Sequence, residues 1–359
     1  MTAARVQFVV PGGVDDPDRV SGGNVYDRHV RDGLRRRGWR VDVSETADAA
    51  SAASVFRSVA DDALVLVDGL VAGWAPEQVA ATAGRARLVV LAHMVAAGFP
   101  DATPAVIAAE RRVLGAARRV VVTSRWSADE LVGRDLAERD RITVAAPGVR
   151  VGGGDAAARA AHTMPGGHAW ARPAATREGA PRERRLLCVG VVAPHKGQDT
   201  LLDALARLAE TDWTCTIVGS ARSFPEFASS IAARAASFAG RVTLAGVLDG
   251  ARLDDAYRRS ALLVAPSRVE SAGMAIADAR ARGLPVVAST AGGIPDTVAG
   301  GGALLVRPGD APALAGALTS WMTDPALRAR LRRETRRVRT ALPTWDDTVT
   351  TIAAALEAT

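Results

Sequence analysis

Short apolar runs alternate with helix-length stretches along this chain, and the alternation runs through twice with an interruption between. The first series comprises VQFVV (6–10), WRVDVS (39–44), ALVLVDG (63–69), RLVVLAH (87–93), RRVVVTS (118–124) and RITVAAP (141–147). Helix-length segments separate these runs, the first covering residues 23–37 after a Gly-rich loop. The second series comprises LLCVGVV (186–192), TCTIVGS, RVTLAG, ALLVAPS and PVVAST. A helix over 197–210 follows its first run, with apolar spacing at Leu201, Leu202, Leu205 and Leu208. Three helical stretches near 311–322, 325–340 and 345–357 close the chain. Strand-length runs spaced by helix-length segments are the mark of βαβ units around a parallel sheet. The expected fold class is α/β, with two Rossmann-like β/α/β domains facing each other across a cleft. Ligands in such sheets bind beyond the carboxyl ends of strands, which directs attention to residues 11–23, Asp68–Gly69, His93 and Ser124.

The 359 residues are too many for one ordinary core and suit two domains of about 150–180 residues. We expect an N-terminal, acceptor-side domain over 1–149, a partly disordered linker over 150–185 and a donor-side domain over 186–342. The last helix, 343–359, is expected to pack back on the first domain. The linker is rich in Gly, Pro, Ala and charge, so its His162 and His168 carry little weight as metal ligands. Aromatic residues make up only 4% of the chain, so Ala, Val and Leu must fill the cores. The residues after Met1 lead straight into a strand-like run, without a targeting signal, and no apolar run approaches the ~20 residues of a membrane span. We therefore expect a cytoplasmic protein. Cys188 and Cys215 lie inside strand-like runs and read as free core thiols.

The formal charge of +6 raises the question of nucleic acid. Of 45 Lys plus Arg, 44 are Arg, and Lys196 alone is Lys, the mark of a GC-rich genome more than of a designed patch. Two clusters remain, Arg35–Arg37 and a run from Arg328 to Arg339. A solvated helix face accounts for the second, with an anionic membrane surface or lipid-linked acceptor as the sharper alternative. No aromatic residues interleave with these arginines, which argues against nucleic acid as a partner.

The most informative stretch is PSRVESAGMAIADARARGLPVVAS, 266–289. A strand ends at Ser267, a loop delivers Glu270, and Gly273 permits a tight turn into a helix. Ser271, Ala272, Gly273 and Met274 are expected to offer backbone N–H groups at that helix start, a good place for phosphate or hydroxyl oxygen. Asp278 follows Glu270 at a spacing of eight. Two carboxylates facing one cleft accept hydrogen bonds from the hydroxyls of a sugar.

This stretch resembles the retaining glycosyltransferases of the GT-B fold, family 4 (glycosyl transferases group 1), with their signature E-x-F/Y-G-x4-E-A-x-A-x-G-x-P-V-V-A. Glu270, Gly273, Ala279, Gly283, Pro285, Val286, Val287 and Ala288 match. Ala272 stands where the family has an aromatic residue, and Asp278 replaces the second Glu. The resemblance implies that Glu270 contacts the donor sugar and Asp278 the nucleotide ribose. VGVVAPHKG (189–197) resembles the family's V-G-R-L-x-x-x-K-G. That places Lys196 on the donor diphosphate, with Val191 where the family has a second cation, an Arg. Gly22 and Gly23 resemble the Gly-Gly loop that brings backbone amides near the donor phosphates. His93 resembles a histidine that contacts the donor sugar, where a neutral imidazole would hydrogen-bond a hydroxyl. Ala291–Asp296 resembles the G-G-x-P-E turn, and Trp345–Asp346 the start of the family's final helix.

The implied reaction is a retaining transfer of a sugar from a UDP- or GDP-sugar to an acceptor hydroxyl, with Glu270, Lys196 and His93 as catalytic residues. Asp16-Pro17-Asp18 imitates a D-x-D metal motif but lies too early in the chain, so no metal and no cofactor is expected. The acceptor stays open between a lipid-linked sugar, a polysaccharide and a small metabolite. A nucleotide-sugar epimerase on the same fold, or a catalytically impaired nucleotide-binding protein, is the alternative.

Overall fold

The computed structural model of the chain describes residues 4–149, 180–208 and 211–359. Most of the expected linker, with His162 and His168, lies outside the described residues. The described residues group into two compact units. One joins the chain up to Asp16 with Gly22–Gly148 and Pro343–Thr359; the other joins Pro17–Ser21 with Val149–Leu342.

The first unit is built on β1 (Arg5–Pro11), β2 (Arg40–Thr46), β3 (Leu64–Asp68), β4 (Arg87–Ala92), β5 (Arg119–Val122) and β6 (Ile142–Val144). Their spatial order is β2-β1-β3-β4-β5-β6, with every pairing parallel. Because successive side chains of a strand face opposite sides, one strand feeds two cores. Val6, Phe8 and Val10 of β1 pack with Tyr26, Val30 and Leu34 of the helix Gly22–Arg36. Val9 joins Phe56, Val67 and Val90 on the opposite face. The helix Trp345–Glu357, opened by a Thr344–Asp347 capping box, adds Val349, Ile352 and Leu356 to the first of these cores. The absence of a side chain at Gly33 admits Val349 there, since a Cβ would come within 2.4 Å of its Cγ2.

The second unit is built on β7 (Arg185–Val189), β8 (Thr214–Val218), β9 (Val242–Gly246), β10 (Leu262–Ala265), β11 (Val286–Ser289) and β12 (Ala303–Val306). Their order is β12-β11-β10-β7-β8-β9, again with every pairing parallel. The edge strand β12 is one that the alternation of apolar runs did not predict. Its four residues follow three glycines and are only half-buried, so they lack the solid apolar run of the central strands. Cys188 and Cys215 are buried and free, and burial pushes the Cys188 thiol up to about 12.

In both sheets strands continue from the first strand in opposite directions, so each has a point where the order reverses. In the first unit it falls between β1 and β3, in the second between β7 and β10. Crevices at such points, beyond the carboxyl ends of the strands, are where doubly wound sheets bind ligands. The strands stop short of the apolar runs in the sequence. His93, Ser124 and residues 190–192 therefore lie just past the ends of β4, β5 and β7.

Candidate functional site

At the reversal point of the second unit, two loops meet. One follows β7 and carries Lys196; the other follows β10 and carries Glu270. The two residues are 74 positions apart, yet Lys196 Nζ donates to Glu270 Oε2 at 2.6 Å. Both side chains are largely buried, at 21% and 15% exposure. Burial alone would raise the Glu270 carboxyl, but the Lys196 charge and hydrogen bond, with the Gly273 backbone N–H, hold it below its usual range. The Gly273 amide is thus turned on Glu270 and is not an open donor, a departure from the expected row of free amides at this helix start. Ser267, itself buried, places its Oγ 3.4 Å from the same Glu270 oxygen.

Backbone geometry sets this arrangement. Gly197 adopts φ +69°, and a Cβ there would lie 2.2 Å from the Pro266 carbonyl oxygen. Gly219, at the end of β8, lies so close to the Gly190 carbonyl that a Cβ would come within 1.9 Å of its oxygen. On the other side of the site, Gly293 N–H donates to the Glu270 carbonyl at 3.0 Å, and Ser289 Oγ to that of Ser267 at 2.5 Å. These contacts fasten the Glu270 loop to the loop after β11.

A residue that the sequence reading passed over joins the two main loops. Arg268 makes a two-pronged bond to Asp199 (2.8 and 2.9 Å) and also donates to the Pro194 carbonyl at 2.7 Å. Its own backbone N–H donates to the His195 carbonyl at 2.7 Å. A planar guanidinium in this fork fixes orientation as well as distance. Its signal was its place two residues before Glu270, in the loop already identified as informative. It does not take over the position of the family's missing Arg, because its guanidinium is committed to Asp199. The Val191 carbonyl, meanwhile, accepts from Gln198 Nε2 at 2.9 Å.

Asp278 lies in the helix Met274–Ala281, and its Oδ1 pairs with Arg282 at 3.2 Å. Asp16-Pro17-Asp18 contributes Asp18, whose carboxylate pairs with Arg222 at 3.2 Å.

Acid should loosen the Lys196 loop in a defined way. Burial raises the Asp199 carboxyl, but the Arg268 hydrogen bond and charge, joined by the backbone N–H groups of Thr200 and Asp199, together outweigh this and its net position is below the usual 3.8; Glu270 likewise lies below its usual 4.5. Groups with depressed folded-state values contribute stability above their unfolded values and lose it as pH falls through the folded ones. The melting temperature should therefore drop as pH falls from about 4.5. Asp199→Asn should flatten the acid limb of that curve in calorimetric scans.

Gly22, Gly23 and His93 belong to the first unit. The two glycines are the first two residues of the helix Gly22–Arg36. His93, just past β4, has a partner that was not expected: its Nε2 lies 2.9 Å from Asp27 Oδ1 and 3.4 Å from Asp68 Oδ2. Asp27 and Asp68 are buried at 1% and 3% exposure. These carboxylates favour the protonated form of the His93 ring. Burial would lower its pKa, but the Asp27 charge and hydrogen bond, joined by Asp68, raise it to about 10. Burial in turn pushes Asp27 up to about 7, against the opposing pull of His93. A sign of Asp27's burial was present in the sequence, since it precedes Val30 and Leu34 at helical spacing on one buried face.

The arginine clusters partly serve the fold. Arg35 donates to the Val41 carbonyl, and Arg37 reaches Asp346 and Thr350. Arg328 caps the carbonyls of Trp321 and Met322, and Arg332 stacks 5.6 Å over the Trp321 ring. Arg330, Arg333, Arg336 and Arg337 of the helix Pro325–Val338 remain exposed. Among the described residues, no helix is long and apolar enough to cross a membrane.

Two Rossmann-like units with a site at the carboxyl edge of the second define the GT-B class of fold. Solved GT-B glycosyltransferases share it. Sucrose-phosphate synthase from Thermosynechococcus elongatus superposes with a TM-score of 0.77 at 20% identity, over 99% of each chain. Anabaena HepE, solved in complex with UDP-glucose, gives 0.73 at 16% identity, over 99% of this chain and 100% of its own. Residues 183–324, which contain Lys196 and Glu270, match the family of glycosyl transferases group 1, and the resemblance read from the motifs is borne out there. Among curated proteins, the D-inositol 3-phosphate glycosyltransferase of Streptomyces avermitilis is 34% identical over 64% of this chain and 49% of its own. That of Rhodococcus jostii is 33% identical over 64% of this chain and 50% of its own. The chain spans about half the length of these curated relatives.

Proposed function

We propose that this protein is a retaining glycosyltransferase that takes a UDP- or GDP-sugar at the β7–β10 edge of its second unit and transfers the sugar to an acceptor hydroxyl. The observation that carries this reading is the Lys196–Glu270 pair, a cation and a carboxylate held together by two loops at the reversal point of the sheet. A nucleoside diphosphate leaving group gains negative charge as the glycosidic bond breaks. A fixed ammonium favours that transition state over the ground state. In this reading Lys196 answers the diphosphate and no metal is needed on it. Glu270 accepts from donor-sugar hydroxyls, Asp278 from the ribose, and the backbone around Ser271, Ala272 and Met274 lines the donor. Gly22, Gly23 and His93 serve the same reaction from the first unit.

The family match over residues 183–324 supports glycosyl transfer, and a fold neighbour solved with UDP-glucose supports a nucleotide-sugar donor. An inositol phosphate is the first acceptor to assay, since the curated relatives are named for one; lipid-linked sugars and polysaccharides follow. Cytoplasmic action, with the exposed arginines of the helix Pro325–Val338 touching an anionic membrane surface, completes the proposal.

The test is turnover. The protein is incubated with UDP-glucose, UDP-N-acetylglucosamine or GDP-mannose and each acceptor, in the presence of a chelator, and nucleoside diphosphate release and product anomer are read. A product with the donor's anomeric configuration supports the reading. An inverted product removes the retaining mechanism. Interconversion of the donor sugar without transfer points to an epimerase, and nucleotide binding without any turnover to an impaired binding protein.

A further inference from the structure

The Lys196–Glu270 pair is short of positive charge for the ligand it is read to hold. A nucleoside diphosphate is multiply negative, whereas the Lys196 ammonium already faces the Glu270 carboxylate at 2.6 Å. The pair sums to zero, and Val191 stands where the resemblance placed a second cation. Arginines of the surrounding segments are engaged with carboxylates. Arg268 holds Asp199 at 2.8 Å, Arg222 holds Asp18 at 3.2 Å, and Arg282 is shared between Asp254 and Asp278.

His195 is the group that the loops set beside the pair. It precedes Lys196 in the single 3₁₀ turn Pro194–Lys196 that follows β7. In the motif V-G-R-L-x-x-x-K-G it fills the last of the three open positions, so the pattern gave it no role. Its carbonyl accepts two backbone N–H groups of the Glu270 loop, from Arg268 at 2.7 Å and from Val269 at 3.3 Å. The main chain of His195 is thereby fastened to both loops, and the residue is half-buried.

The ring is oriented from a third loop. It meets the Phe224 ring edge-on, with centroids 6.1 Å apart at 71°. Phe224 follows β8 and, at 41% exposure, is the one exposed large aromatic among the described residues. That loop is tied to the one after β7, since the Val192 N–H donates to the Ser220 carbonyl at 2.8 Å. An edge-on aromatic neighbour restricts the tilt of a ring. The His195 ring also lies close enough to act on Glu270. Burial raises that carboxyl, and the Lys196 charge and hydrogen bond, the Gly273 N–H and then the His195 charge bring it below its usual range.

We propose that His195 is a further donor-binding residue, whose imidazolium joins Lys196 on the diphosphate and supplies the cation that Val191 does not. The identity of the anion rests on the transferase reading. A protonated His195 brings the three side chains from zero to one net positive charge. A diphosphate then meets two charge-assisted donors from consecutive residues of one turn. Both gain in strength as the leaving group takes up charge.

The test is anion binding by the full chain. The protein is titrated calorimetrically, with chelator present, with UDP, with GDP and with inorganic diphosphate. His195→Gln keeps a hydrogen-bonding side chain without charge and should bind nucleotide and inorganic diphosphate about tenfold more weakly. Its melting temperature should match that of the wild type, because the main-chain bonds remain. His195→Arg restores a cation and should recover most of the lost affinity, a rescue that a merely structural ring would not show. His195→Gln binding both anions as the wild type does, or His195→Arg binding no more tightly than His195→Gln, would overturn the proposal. Wild-type protein that binds inorganic diphosphate but neither nucleotide, with the same loss in His195→Gln, removes the transferase reading and keeps His195 as an anion ligand. Wild-type protein that binds none of the three removes both.

Discussion

Replacing Lys196 by alanine is expected to weaken nucleoside diphosphate binding at least tenfold, about 1.4 kcal/mol, in calorimetry with UDP and GDP. Two effects combine in that number. The ammonium that would meet the diphosphate is lost, and Glu270 is left as a largely buried carboxylate with its main cation gone, which repels an anionic ligand. The second effect also bears on stability, because removing one partner of a buried pair costs more than the pair itself contributes, commonly about 3–5 kcal/mol when burial is complete. Here both side chains keep some exposure, 21% and 15%, so we expect a smaller loss, about 1–3 kcal/mol. Pairing Lys196→Ala with Glu270→Gln separates the two. The double variant should regain most of the lost stability while nucleotide binding stays weak. If binding returns with stability, the lysine serves the fold and not the ligand.

The second large effect is expected at Gly219, where alanine should cost about 3 kcal/mol or more. A Cβ there would stand 1.9 Å from the Gly190 carbonyl oxygen, a backbone atom just past β7 whose residue is held by its N–H to the Val218 carbonyl and which cannot yield as a flexible side chain would. At about 2–4 °C per kcal/mol for a unit of this size, the melting temperature should fall by roughly 6–12 °C. Gly197→Ala should behave alike, since its Cβ would lie 2.2 Å from the Pro266 carbonyl oxygen at φ +69°. Gly240 is the control, with φ +80° but nothing within 4 Å of its Cβ. Its alanine variant carries only the left-handed backbone penalty, about 1–2 kcal/mol. Differential scanning calorimetry reads all three, and equal losses would show that close approach adds nothing to strain.

Much of the architecture was legible because burial on both faces writes a parallel strand as a solid apolar run. LVLVD and RLVVLA could hardly be anything else, and the helix after β7 carried spaced leucines at Leu201, Leu202, Leu205 and Leu208. The edge strand β12 escaped because an edge has no such run, and three glycines before it read as loop. In the site, Lys196 and Glu270 were readable as residue types in two recognisable loops. The single lysine among 45 basic residues made the first of them stand out. Arg268 was passed over because an arginine has no meaning in this chain until its neighbours are known.

By itself, then, the sequence determined the class of fold, its two series of strands, and the two loops that hold a cation and a carboxylate. These depend on local pattern, periodicity and turn chemistry, which neighbouring residues settle among themselves. Only the tertiary structure decided which side chains meet. Strand order placed β10 beside β7 and so brought Lys196 onto Glu270 across 74 residues. The same logic placed β3 and β4 beside the helix after β1, and joined the unremarked Asp27 to Asp68 and His93, two strand-end residues already singled out, in one buried cluster. Charge states depend on distance and burial, and those are properties of the assembled sheet that no stretch of chain carries alone.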